Sequence, residues 1–162
     1  NPLRLRRPLE QGVRVIVAHC ASLGRGIDLD IGHQGPRVSN FELFVRLMQE
    51  PRYQGLLYGD ISAVSQINRV GNGLETLITR GDWHSRLLNG SDYPLPCIPP
   101  LFSRNQLRRR GYITEPQAAV LSDIRRHHPL LFDLILKRTL RINGRGFGAA
   151  PFHTRDFFEH PV

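Results

Sequence analysis

Arg86–Pro96, RLLNGSDYPLP, is the stretch on which the fold turns. Two apolar residues, Leu87 and Leu88, run into Asn89, Gly90, Ser91 and Asp92, and Tyr93-Pro94 opens a proline-rich loop to Pro100. A short apolar run that stops at Gly-Ser-Asp predicts a buried strand ending in a polar loop. The acid then sits at the strand's end, where parallel α/β architectures place their chemistry. The competing reading is that Asp92 only turns the chain before Tyr93-Pro94.

Two earlier stretches repeat the pattern. VRVIVAHCASLG, residues 13–24, carries a nearly continuous β-branched run followed at once by His19. GLLYGDIS, residues 55–62, carries Leu56, Leu57 and Tyr58 and then Asp60. Runs of this kind suit strands buried on both faces, as parallel sheets require. Helical spacing lies between them. Ser39 and Glu42 have capping-box spacing ahead of Phe41, Phe44, Val45 and Met48, and Pro51 stops that helix. Asn72 and Glu75 open a second helix with Leu74, Leu77 and Ile78 as its buried face. Residues 24–38 read as a long glycine-rich loop containing His33, and residues 2–11 as the end of a helix closed by Gly12. The order is β-α-β-α-β, with strand ends roughly 30 to 40 residues apart, near the length of one βα unit of a barrel. His19, Asp60 and Asp92 are therefore expected on one rim of one parallel sheet.

After the proline-rich loop the pattern is helical. Ser103 with Gln106 and Thr114 with Gln117 have capping-box spacing. One helix runs through Ala118, Val120, Leu121 and Ile124 to His127 and His128. Pro129 starts the next, rich in leucine, with Gly144 as its stop. Residues 145–162 show no clear period and read as a tail behind a single domain, 1–144.

The 162 residues suffice for one hydrophobic core, and the apolar content of 40% predicts a globular chain. No run reaches the ~20 apolar residues of a membrane span. The start lacks both Met and an apolar signal region, so the natural N-terminus is expected upstream. Net charge is +8, from 22 basic and 14 acidic residues. All the basic residues but Lys137 are arginine, and no aromatic residues interleave with their clusters, so nucleic-acid binding is a minor alternative. Cys20 and Cys97 form no metal-binding spacing, and two apolar-flanked thiols fit a cytoplasmic protein.

VIVAHCAS, LLYGDISA and NGSDYPLP together resemble the last three strands of the amidohydrolase-related (amidohydrolase 2) metal-dependent hydrolases of the amidohydrolase superfamily. The resemblance covers about residues 1–140. It implies a partial (β/α)8 TIM-type barrel, about strands six to eight, followed by C-terminal helices. It makes His19 the histidine ending strand six and Asp92 the aspartate ending strand eight. A divalent metal, commonly zinc, would be held by His19 and Asp92, and a metal-activated water would attack a carbonyl-type small-molecule substrate. Asp92 would shuttle the proton, and Asp60 on strand seven would contact substrate. A decarboxylase on the same scaffold is equally compatible.

The family's H-x-H pair on strand one is absent, as are strands two to five. The chain therefore reads as the C-terminal part of a longer enzyme, inactive by itself and prone to self-association through open sheet edges. The alternative is a non-catalytic remnant or interaction module of that fold. His33 is a lesser substrate candidate. Trp83 and His84 precede their strand and belong to the opposite, stabilising face. Cys20, beside His19 on a strand, is expected to point away from it.

Overall fold

A computed structural model describes residues 1–159, and the last three positions of the tail read above fall outside it. The fold is mixed α/β, with a small parallel sheet at its centre and no closed barrel. Strand β1 (Val15–Val17) pairs with β4 (Leu57–Asp60), and β4 pairs with β5 (Leu87–Leu88), all parallel, in the order β1-β4-β5. Val15 sits opposite Leu57, and Gly59 opposite Leu87. Strand β1 stops short of the left-handed turn at His19, Cys20 and Ala21, and β5 stops where Asn89-Gly90 follows.

One face of the sheet is covered by helix α2 (Asn40–Gln49), whose Phe41, Leu43, Phe44, Leu47 and Met48 are buried. Gly59 permits this approach, since a Cβ there would stand 2.6 Å from Cys20 Sγ and 2.9 Å from a Phe44 ring carbon. Helix α3 (Asn72–Thr79) buries Leu74, Leu77 and Ile78, as the spacing predicts. Its cap differs from expectation. Gly71 occupies the cap position, and Glu75 accepts the Tyr112 hydroxyl instead of closing a capping box. Ser39 likewise makes no side-chain cap bond, and Glu42 turns to Arg46 one helical turn on instead of reaching back to the cap.

The glycine-rich segment is not a plain loop. Strands β2 (Arg25–Ile27) and β3 (Arg37–Ser39) form an antiparallel hairpin. Buried Asp28 anchors it to α2 through Arg46, with Nη1 2.5 Å from Oδ2. Ahead of β1, the chain runs from a 3-10 turn into the short helix α1 (Arg6–Glu10), and Gly12 follows at φ 77°.

Beyond the sheet lie α4 (Arg104–Arg109), α5 (Glu115–His127) and α6 (Pro129–Thr139). Ser103 caps α4, and the full Thr114/Gln117 capping box opens α5. His128 caps α6 by accepting the Leu131 N–H. Arg125 donates to the carbonyls of Pro96, Ile98 and Pro99, tying the proline-rich loop to α5. Helix α6 ends at Thr139, earlier than Gly144, since Ile142 and Arg145 close a tight turn of their own.

The tail is integrated rather than loose. Phe147 is buried, Gly148 N donates to His84 Nδ1 at 3.0 Å, and Asn89 N donates to Pro151 O at 2.8 Å. Helix α7 (Arg155–Glu159) crosses the sheet's second face, where the Phe157 ring meets Tyr58 edge-on at 4.5 Å. The β5 edge, expected open, is thus partly covered by the 150–152 turn. No helix among the described residues is long and apolar enough to cross a membrane.

Candidate functional site

The strand ends bring His19, Asp60 and Asp92 together on one rim, as the β-α-β-α-β reading requires. His19 Nδ1 lies 3.6 Å from Asp60 Oδ2, and His19 Nε2 lies 3.5 Å from Asp92 Oδ2. All three side chains are partly buried. The backbone presents them in an uncommon way. His19, Cys20 and Ala21 have φ of 53°, 50° and 50°, and Asp92 has φ 53°. Left-handed backbone on non-glycine residues is costly, and it gathers where surrounding structure over-determines a functional geometry. The turn also changes the reason for the Cys20 orientation. Cys20 is not on a strand, and its buried Sγ reaches the Asp60 carbonyl at 3.3 Å. Burial, followed by the charge of Asp60, holds its thiol pKa well above the usual range, so it is no nucleophile.

Ser62, which sequence reading passed over, links Asp60 to the His19 ring. Its N–H donates to Asp60 Oδ1 at 2.8 Å, and its hydroxyl donates to Asp60 Oδ2. With that proton spent, Ser62 Oγ can only accept from His19 Nδ1, at 2.8 Å. Nδ1 then carries a proton whether or not the ring is charged, and Nε2 is the atom left to face the Asp92 carboxylate. Two acceptors 3.5 Å apart repel unless a positive species joins them. That species is either a proton, making an imidazolium–carboxylate pair, or a metal ion. Two donors on one tetrahedral zinc stand about 3.3 Å apart, so the His19–Asp92 pair fits a shared divalent cation. Ser62 and Asp60 then play the orienting part that histidine ligands ordinarily need at the other ring nitrogen. Among the described residues, no group of three His, Cys, Asp or Glu side chains could hold a metal.

The Ser62–His19–Asp92 connectivity also resembles a nucleophilic triad. It is not one, because Ser62 is 1% exposed and its proton is already committed to Asp60.

Two supporting groups lie behind the rim. Lys137 on α6 is fully buried, and its ammonium meets three acceptors: Asp133 Oδ2 at 2.6 Å, Gly90 O at 2.6 Å and Asn89 Oδ1 at 3.2 Å. Three donors matched to three acceptors explain why the one lysine of an arginine-rich chain stands here; a planar five-donor guanidinium would not fit. Burial pushes the Lys137 ammonium down, opposed by Asp133, and pushes the Asp133 carboxyl up, opposed by Lys137. The pair fixes the Asn89–Gly90 segment just ahead of Asp92. Gly90 is needed at that point, since a Cβ would come 2.7 Å from Asp60 Oδ1. Arg69 Nη1 donates to Ser22 Oγ at 2.9 Å; burial lowers its pKa, and Asp92 partly opposes that. A lone lysine in an apolar helix, four residues after Asp133, was the available sequence signal for the first group. Arg69 carried none.

The remaining sequence candidates stay apart. His33 is exposed in the hairpin turn. Trp83 and His84 are buried, and the His84 ring bridges Leu77 O and Gly148 N, a structural role. Both cysteines are free. A cavity of about 240 Å³ opens at the rim on the sheet's second face, with Asp60 in its wall. Comparison with known proteins finds no matching family model, no curated protein and no solved structure similar to this chain.

Proposed function

We propose that this chain is the C-terminal part of a metal-dependent hydrolase of the amidohydrolase type, with β1, β4 and β5 as strands six to eight of a (β/α)8 barrel. The reading rests on one observation: His19, oriented at Nδ1 by Ser62, with Asp60 behind it, turns Nε2 toward Asp92 Oδ2 at 3.5 Å. His19 and Asp92 would hold a divalent cation, most simply zinc. Bound there, the cation would lower the pKa of a coordinated water toward ~7. Asp92 is the proton carrier, moving a proton from water to the leaving group. Asp60 is engaged by Ser62 and acts on the ring of His19 as much as on a small-molecule substrate. The third ligand that a catalytic zinc site needs belongs to strands beyond these three.

The test is the protein extended upstream of Asn1, analysed for zinc and for hydrolysis of amides and esters. Asp92→Asn should lower turnover by at least ~10²-fold with unchanged melting; unaltered turnover would remove Asp92 from the chemistry.

A second reading, a non-catalytic module of the same fold, is favoured by α7. In a closed barrel the Tyr58 face is interior, so the Phe157–Tyr58 contact would have to give way. Nucleic-acid binding has less support, because Arg6, Arg46, Arg80, Arg108, Arg126 and Arg155 are each paired with an acid.

A further inference from the structure

The rim cavity has a composition that selects its ligand. Ile16, Ala18, Leu88 and Phe158 supply apolar walls, and Asp60, Asn89 and Gly90 close the end nearest His19. Ile16 and Phe158 are large apolar side chains left 40% and 65% exposed at this cavity. Apolar surface exposed around a concavity with a few convergent polar groups marks a ligand site. The volume of about 240 Å³ exceeds the ~150 Å³ in which an apolar cavity takes up benzene, so one ring with a short arm fits. Among the described residues, Asp60 is the one ionisable side chain in the wall. Lys137 touches Asn89 and Gly90 from behind but is fully buried, and Asp133 pairs with its charge. The polar end therefore attracts an N–H donor or an ammonium group and repels a carboxylate.

We propose that this cavity binds a small apolar amine, a single ring or branched alkyl group carrying nitrogen, with the nitrogen at Asp60. The cavity is built with α7 in place, through Phe158, so the proposal stands apart from the hydrolase reading. The binding itself needs neither metal nor turnover.

The experiment is an NMR titration of the ¹⁵N-labelled 162-residue chain with benzylamine, benzyl alcohol and benzoate. Benzylamine should give saturable shifts at Ile16, Leu88 and Phe158, benzyl alcohol should bind about tenfold more weakly, and benzoate should leave these signals unmoved. Ile16→Trp, which fills the cavity, should abolish the benzylamine shifts. Benzoate binding as well as benzylamine would overturn the proposal. So would saturable shifts confined to other surfaces, or the absence of saturation with all three compounds. The ligand series decides the question in the unmutated chain even if Ile16→Trp does not fold. Benzylamine binding without hydrolysis by the extended protein would sink the hydrolase reading alone. Hydrolysis without benzylamine binding would sink the amine site alone.

Discussion

His19 is held at Nδ1 by Ser62 and faces Asp92 with Nε2, and that placement makes its chemistry readable at the scale of one residue. Ser62 forces the proton onto Nδ1, so ¹⁵N NMR of the histidine ring should show a protonated Nδ1. Zinc titration should then move the Nε2 signal; an unshifted Nε2 at saturating zinc would leave only the imidazolium pairing with Asp92. The thiols offer a second test. Buried Cys20, with its pKa held high, should resist iodoacetamide at pH 8, whereas exposed Cys97 should react. Mass spectrometry should count one adduct in the native chain and two in denaturant. Lys137 gives the largest single-residue effect. Lys137→Met leaves Asp133 buried without its partner, and should cost about 3–5 kcal/mol in urea unfolding. Replacing Asp133 with Leu in the same chain should recover much of that loss, since an uncompensated charge is what the single change creates.

At the scale of elements, the closeness of α2 to the sheet depends on Gly59. Gly59→Ala places a methyl group against Cys20 and Phe44 and should destabilise by about 1–3 kcal/mol. The relevant measurement is the urea midpoint, with Gly55→Ala as an unsuitable control because Gly55 has φ 80°. The helices were legible because their apolar faces repeat at helical spacing, and α5 kept both bonds of its predicted capping box. The caps of α2 and α3 were not legible in the same way. Glu42 and Glu75 had stronger partners in Arg46 and Tyr112, and those partners lie outside the local motif. The β2–β3 hairpin escaped sequence reading for a related reason. Its strands are three residues long and lack an alternating apolar pattern, and their pairing is stabilised by Arg25 and Arg37 bonding to each other's carbonyls.

For the whole molecule, the open question is what completes a three-stranded parallel sheet. Strand β1 has no pairing partner on its outer side among the described residues, while β5 is partly covered through Pro151. Such an edge invites association, so sedimentation of the purified chain should show concentration-dependent oligomers with little stoichiometric zinc. A monomer with one tightly bound metal and clear hydrolase turnover would overturn the partial-barrel fold assignment or the reading that strands are missing. Helix α7 competes for the same space as a barrel interior. Phe157→Ala should therefore increase dye binding to the sheet's second face, detected as enhanced ANS fluorescence.

By itself the sequence determined the three strands of the parallel sheet, their order and the rim on which His19, Asp60 and Asp92 meet. Those features follow from local apolar runs and from the helices needed to return the chain between parallel strands. Only the tertiary structure decided the hydrogen bond that orients His19, the buried Lys137–Asp133 support and the covering of the sheet by α7. Each depends on contacts between residues far apart in sequence or on different elements. Ser62 meets His19 across 43 positions, and Lys137 meets Asn89 across 48. Such pairings are set by how the elements pack, and no periodicity or motif in a single segment carries them.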